Sequence, residues 1–215
     1  MLNDKLKNYF HLHILVFIAG FTAILGELIS IGSIPLVWFR MIIAAVLMFI
    51  YIRFRKIRLA IDPKTLVKFS IAGILIALHW ITFFESINQS NVSIALSMFS
   101  TGAFFASFIE PIFFKRKIIW YEIVLGIMVI FGVWLITQTE MRYIKGIIYG
   151  IACALFSTLF AVVNGQFVKK HSATTISFYE FISGVFFITL FIAIFGGGFN
   201  SEFFNLPRTD WIYIF

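Results

Sequence analysis

Residues 92–138 read VSIALSMFSTGAFFASFIEPIFFKRKIIWYEIVLGIMVIFGVWLITQ, two long apolar runs joined by a short basic stretch. The runs cover residues 92–114 and 119–138, and each has roughly the 20 residues that a helix needs to cross a hydrocarbon core about 30 Å thick. The Lys-Arg-Lys triplet at residues 115–117 lies between them. This stretch therefore predicts two antiparallel membrane helices joined by a charged turn.

The composition of the whole chain agrees with this interpretation. Of 215 residues, 61% are hydrophobic and 13% charged, and the mean hydropathy is +0.99, whereas soluble domains have about half apolar and a quarter charged residues. Soluble and disordered proteins are excluded on these numbers. The chain has one cysteine, Cys153, so it cannot form an intrachain disulfide, and we expect neither a metal site nor a cofactor.

Apolar runs of sufficient length recur along the chain. We predict seven complete spans, at residues 10–30, 35–52, 69–88, 92–114, 119–138, 144–166 and 174–196. An eighth begins at Asp210, and we expect it to continue downstream of this sequence. Runs this long lack the alternation of an outer-membrane barrel, so the predicted fold is all-α, a polytopic membrane helical bundle.

The basic residues predict the orientation. With a cytoplasmic N-terminus, 13 of the 17 Lys and Arg residues lie in cytoplasmic segments, three lie outside, and Arg40 lies within a span. The positive-inside rule favours this arrangement. It also explains the net charge of +7 without a nucleic-acid partner; a bound anionic lipid is the weaker alternative.

The odd number of spans before Tyr143 predicts an internal symmetry. Residues 10–138 hold five spans, so the sixth span enters the membrane from the side opposite to the first. Spans six and seven repeat the layout of spans one and two, and we predict that residues 144–215 are an incomplete second repeat of inverted orientation. Inverted repeats with the substrate site between them are a recurrent transporter design.

Two stretches resemble a known family. They are GFTAILGELISIGSIPLVWFRMIIA, residues 20–44, and HWITFFESINQSNVSIALSMFSTGAFFASFIEPIFFKRKIIWYEIVLGIMVIFGVWLI, residues 79–136. Both are similar to members of the drug/metabolite transporter superfamily, EamA-type, which are ten-helix carriers built from two five-helix repeats. The resemblance covers nearly the whole chain and includes the Arg-bearing second helix, hence Arg40.

The resemblance implies a secondary transporter of small organic metabolites, an amino acid or a related solute, that works by alternating access and exports its substrate. We accordingly expect a multi-pass protein of the bacterial plasma (inner) membrane, and not an enzyme. Proton or ion coupling and a homodimer are left open. The alternative is a non-transporting membrane scaffold or accessory subunit whose polar residues contact a partner.

Ionisable residues within spans are the first candidates for function, since each is costly in lipid and should face protein or water. Arg40 and Glu27 lie near the outer ends of neighbouring spans, and they form either a structural pair or part of a substrate site. Glu85 lies near the outer end of span three. Glu180 shares a face with Ser177 and Gly184, and it serves either in coupling or as a hydrogen-bonding group between helices.

Uncharged residues at helical spacing complete the candidate pathway. His79, Thr82 and Ser86 recur on one side of span three beside Trp80, and Ser97 belongs to a serine stripe on span four. On span six the small residues Gly146, Gly150, Ser157 and Ala161 predict a close helix contact. The sequence has no signature of a nucleotide-binding loop or a catalytic set.

Overall fold

A computed structural model describes residues 2–214, with the side chains of residues 5–201 and 203–214. The described residues form ten helices and no strand: α1 Leu2–Leu28, α2 Ser33–Arg55, α3 Pro63–Gln89, α4 Val92–Phe99, α5 Gly102–Phe114, α6 Trp120–Thr139, α7 Ile144–Phe167, α8 Ala173–Phe195, α9 Ser201–Phe204 and α10 Arg208–Ile214. A 3-10 turn, Met141–Tyr143, precedes α7. The predicted helical bundle is confirmed. Phe215, the last residue of the predicted second repeat, lies outside the described residues.

Within residues 2–214, seven segments are long and apolar enough to cross a membrane: α1, α2, α3, α6, α7 and α8 singly, and α4 together with α5. They correspond to the seven predicted spans, although several begin earlier. The helix α3 starts at Pro63 instead of residue 69, because Asp62 caps it and its polar first turns continue beyond the apolar run. The helix α10 starts at Arg208, two residues before the predicted Asp210.

The helix α3 is the centre of the bundle. Its most extensive contacts are with α7 and α8, which lie on different sides of it, and it also packs against α1, α2 and α4. The helix α2 packs against α8, and α10 contacts both α1 and α2. The helix α6 lies at the edge and contacts mainly α5. Residues that line a cavity around α3 are therefore held by a packed scaffold.

The fourth span is interrupted, which its apolar run did not predict. Ser100 and Thr101 lie between α4 and α5, and both hydroxyls donate to carbonyls of the preceding turn, Ser100 to Ser97 and Thr101 to Met98. The Thr158 hydroxyl of α7 lies 3.3 Å from the Gly102 carbonyl, so the break is braced by a neighbouring helix. Serine and threonine compete in this way with the helix's own hydrogen bonds.

The basic turn between α5 and α6 contains a small ionic network. The Arg116 guanidinium donates to Glu122 at 2.8 Å and to Glu110 at 3.1 Å. These carboxylates raise the pKa of Arg116 above its usual value, mainly through the hydrogen bonds from Arg116 to Glu122 and Glu110. The network fixes the turn that joins the two helices.

Candidate functional site

A cavity of about 460 Å³ lies between α1, α2, α3 and α4, in the half of the bundle near the α1–α2 and α3–α4 connections. Four side chains bring polar groups to it: Thr22, Arg40, His79 and Trp80. The rest of its wall is apolar and consists of Ala19, Gly20, Ala23, Phe83, Phe84, Leu96 and Phe99. A mostly apolar pocket with a few convergent polar groups is typical of a small-molecule site.

Arg40 is the one Lys, Arg, Asp or Glu residue in the wall of this cavity as the structure describes it. The helix α2 buries Leu36, Val37 and Met41 in the core, and this packing fixes the rotation that directs Arg40 toward α3. The guanidinium carbon lies 5.9 Å from the centre of the Trp80 ring and 5.4 Å from that of Phe84. Both are cation-π distances, so the rings position the charge without neutralising it.

One nitrogen of Arg40 has no partner. Its Nη1 atom is buried and forms no hydrogen bond within the described part of the chain. A buried donor without an acceptor is costly, and such groups are rare in folded proteins. The cavity therefore offers a positive charge and an unused donor to an anionic guest.

The expected pairing of Arg40 with Glu27 is not observed among the described residues. Glu27 is exposed on α1 and does not line the cavity. Glu85 does not line the cavity either. Its carboxylate accepts hydrogen bonds from Ser33 Oγ at 2.7 Å and from Gln89 Nε2 at 2.9 Å. Neither carboxylate offsets the charge of Arg40 by direct contact.

The polar residues of α3 divide between two surroundings. His79 lies in the cavity wall, and its Nδ1 atom is 3.1 Å from the Cys153 carbonyl oxygen and 3.2 Å from Cys153 Sγ on α7. Thr82 is buried and donates to the carbonyls of Leu78 and His79. Ser86 is fully buried and donates to the Gly146 carbonyl of α7 at 2.7 Å. His79 and Trp80 thus line the cavity, whereas Thr82 and Ser86 are buried outside it.

The predicted serine stripe of the fourth span does not line the cavity. The Ser97 hydroxyl donates to the Ser93 carbonyl one turn earlier. Leu96 and Phe99 form the α4 part of the wall instead. This side of the cavity is consequently apolar.

Glu180 lies elsewhere, where α8 meets α3 and α7. It is 2% exposed, and its Oε1 atom accepts a hydrogen bond of 2.8 Å from Asn164 Nδ2 on α7. Its backbone carbonyl lies against Gly73, where a Cβ atom would clash. The arrangement connects α7 with α8 and is separate from the Arg40 cavity.

The small residues of α7 differ in their surroundings. Gly146 and Gly150 are buried, and a Cβ atom at Gly150 would lie 2.5 Å from Met98 Cβ. Ser157 is half-buried, and Ala161 is exposed. Close approach to α3 and α4 therefore depends on the two glycines at the start of the helix.

Sequence reasoning missed several residues of this region. Leu96 and Phe99 line the cavity, but in a chain that is 61% hydrophobic nothing in the local sequence distinguishes them. The sequence marks Asp210 only as the start of a helix, yet in the structure it is 1% exposed and accepts a 2.7 Å hydrogen bond from Ser30 Oγ. An acidic residue at the edge of an apolar run was the available signal.

The comparison with known proteins points to one family. The sequence model of the EamA-like transporter family matches residues 7–138, more than half of the chain, and this range contains every residue of the cavity wall. No curated protein and no solved structure matches the chain.

Proposed function

Since the chain belongs to the EamA-like transporter family and is thus a multi-pass membrane transporter of the drug/metabolite kind, we propose that it carries a small organic solute with a carboxylate group. An amino acid or a related acid of apolar character has the right chemistry. The cavity beside Arg40 is the proposed binding site.

The single observation that carries this proposal is the unpartnered Nη1 atom of Arg40 at the cavity wall. A guanidinium binds a carboxylate through parallel N–H donors, and such charge-assisted bonds are stronger than neutral ones. The carboxylate of a solute would neutralise the charge and satisfy the donor in one step. No carboxylate among the described residues of the wall competes for it.

The apolar part of the wall supports the second half of the proposal. Phe83, Phe99 and Leu96 present rings and a branched chain to the space that Arg40 faces. An aliphatic or aromatic body gains from burial there, at about 25 cal/mol for each Å² removed from water. A solute with more than one carboxylate would leave a negative charge unpaired against this wall.

Helix pairing supports transport by alternating access between two inverted repeats, covering residues 10–138 and 144–215. An exchange of each span with the span five positions later pairs α1 with α7, α2 with α8 and α3 with α10. Under this exchange the α2–α8 contact maps onto itself. The α3–α7 contact maps onto α1–α10, and the α3–α8 contact maps onto α2–α10. These counterpart contacts between the two repeats are present, as a period of five spans predicts. Contacts of α10 with α7 and α8, the counterparts of α1–α3 and α2–α3, are not among the main helix contacts of the described residues.

The direction and the membrane belong to the same proposal. The excess of Lys and Arg on one side favours a cytoplasmic N-terminus, and the cavity then lies in the outer half of the bundle. Export across a bacterial plasma membrane is proposed by analogy with the family alone.

Three labelled compounds that share a phenylethyl skeleton test the proposal. Phenylalanine carries a carboxylate and an ammonium group, 3-phenylpropionate only the carboxylate, and 2-phenylethylamine only the ammonium group. In cells that express the protein, we expect efflux of the first two above that of vector controls and none of the amine. Transport of the amine alone, or of none of the three, would contradict the proposed substrate class.

A further inference from the structure

A second cavity lies at the opposite end of the bundle, between the first turns of α3 and the end of α7. Its volume is about 230 Å³, which is room for several water molecules at about 30 Å³ each. The polar side chains that line it are Thr65, Lys68, Gln166, Lys170 and His171. No residue of the proposed substrate site belongs to it.

The lining carries positive charge without a matching carboxylate. Lys68 and Lys170 are both exposed, and neither forms an ion pair within residues 5–201 and 203–214. The nearest acid along the chain is Asp62, which is not part of the lining. Its carboxylate accepts hydrogen bonds from Thr65 Oγ1 at 2.7 Å and Thr65 N at 3.0 Å, and these bonds lower the pKa of Asp62. The Asp62 charge is thus engaged at the start of α3.

The walls and floor of the cavity are fixed by packing. Phe69 is fully buried, and its ring centre lies 4.9 Å from that of Phe167 and 5.3 Å from the imidazole of His171. Gln166 is held on both sides, since its Nε2 donates to the Phe113 carbonyl and its Oε1 accepts from Lys169. The side chains of Lys68, Lys170 and His171 form no hydrogen bond with the side chains and backbone that the structure describes, so their nitrogens remain available as donors.

We propose that this cavity binds a phosphate group, with Lys68 and Lys170 as its charge partners and His171 as a further donor. The site lies at the end of the bundle that holds most of the Lys and Arg residues. Basic pockets between membrane helices on the cytoplasmic side suit anionic lipid headgroups. A phospholipid headgroup and free phosphate share the chemistry that the cavity recognises, and both are tested. Occupancy would join the start of α3 to the end of α7.

Thermal unfolding of the purified protein in detergent tests this site. Dihexanoyl phosphatidylglycerol, dihexanoyl phosphatidylcholine and sodium phosphate are added separately at constant ionic strength. We expect the unfolding temperature to rise with phosphatidylglycerol and not with phosphatidylcholine, because the choline ammonium of the latter offsets the charge of its phosphate. The double variant Lys68→Gln, Lys170→Gln should need about 30-fold more phosphatidylglycerol for the same rise. The control Lys64→Gln, Lys117→Gln removes the same charge from exposed positions outside the cavity and should behave like the unmodified protein.

The remaining outcomes are also decisive. A rise with sodium phosphate that depends on Lys68 and Lys170 assigns the site to a free phosphate, and a rise with phosphatidylglycerol alone assigns it to the lipid headgroup. No rise with either compound, or an equal loss in both double variants, overturns the proposal.

Discussion

The guanidinium carbon of Arg40 lies 5.4 Å from the centre of the Phe84 ring. Phe84 is itself 2% exposed and packs against Gly26 of α1, so the ring that holds the charge is held by the scaffold. A cation over an aromatic face keeps its hydrogen-bonding capacity. The relationship explains how a charged side chain is positioned within a span while its Nη1 donor has no partner among the described residues.

The contact of α7 with α4 requires a residue without a side chain at position 150, where the chain has Gly150. A Cβ atom there would lie 2.5 Å from Met98 Cβ and 3.0 Å from Ser86 Oγ, and both partners are fully buried. Gly150→Ala should therefore destabilise the protein by about 1–3 kcal/mol through overpacking. Thermal unfolding in detergent measures the loss.

Gly132 provides the matched control, because a Cβ atom on this residue of α6 meets nothing within 4 Å. Gly132→Ala should be neutral or stabilise the helix by up to about 1 kcal/mol. Equal effects of the two substitutions would show that the packing at Gly150 is not what limits stability.

The hydrogen bond between Asn164 and Glu180 predicts a structural role for the carboxylate. Glu180→Leu removes the acceptor of the 2.8 Å bond and should cost about 1–3 kcal/mol. Glu180→Gln retains a side-chain carbonyl, so we expect near-normal abundance in the membrane and near-normal transport. Normal abundance with abolished transport in Glu180→Gln would instead assign this acid to proton or ion coupling.

The charge distribution predicts the topology. In a protein with Cys153→Ala, a single cysteine at Lys117→Cys should be protected from an impermeant thiol reagent in intact cells, and one at Arg142→Cys should react. Both positions are exposed, so burial does not explain a difference. Labelling at position 117 and protection at position 142 would reverse the orientation.

The sequence was sufficient to predict the helices and to single out Arg40, which lines the candidate cavity. Apolar runs of about 20 residues mark the spans because lipid offers the backbone no hydrogen-bond partners. Arg40 stands out because a charged residue within a span is costly in lipid and must face protein or water. Both inferences depend on local sequence, and so they required no knowledge of helix packing.

The remaining features depend on tertiary contacts. His79, Thr82 and Ser86 share one side of α3. Which of them faces the cavity depends on where α7 crosses α3. Ser86 lies at that crossing and donates a hydrogen bond to the Gly146 carbonyl of α7. The interruption at Ser100 and Thr101 is similar, since the surrounding apolar run continues through it. The Arg40–Glu27 pairing was expected from proximity in sequence, whereas the fold directs Arg40 toward α3.

The central claim is that Arg40 binds the carboxylate of the solute, and one measurement tests it most directly. Arg40→Leu, Arg40→Lys and the control Glu27→Leu are compared for uptake of labelled 3-phenylpropionate and phenylalanine into proteoliposomes, at equal amounts of folded protein. A charged hydrogen bond contributes about 1.5–3 kcal/mol, so Arg40→Leu should lower uptake roughly 10- to 150-fold at low substrate concentration. Arg40→Lys, which keeps the charge but not the planar fork, should retain part of the activity. Glu27→Leu should transport normally, since Glu27 is outside the cavity. Uptake by Arg40→Leu at the rate of the unmodified protein would contradict the account.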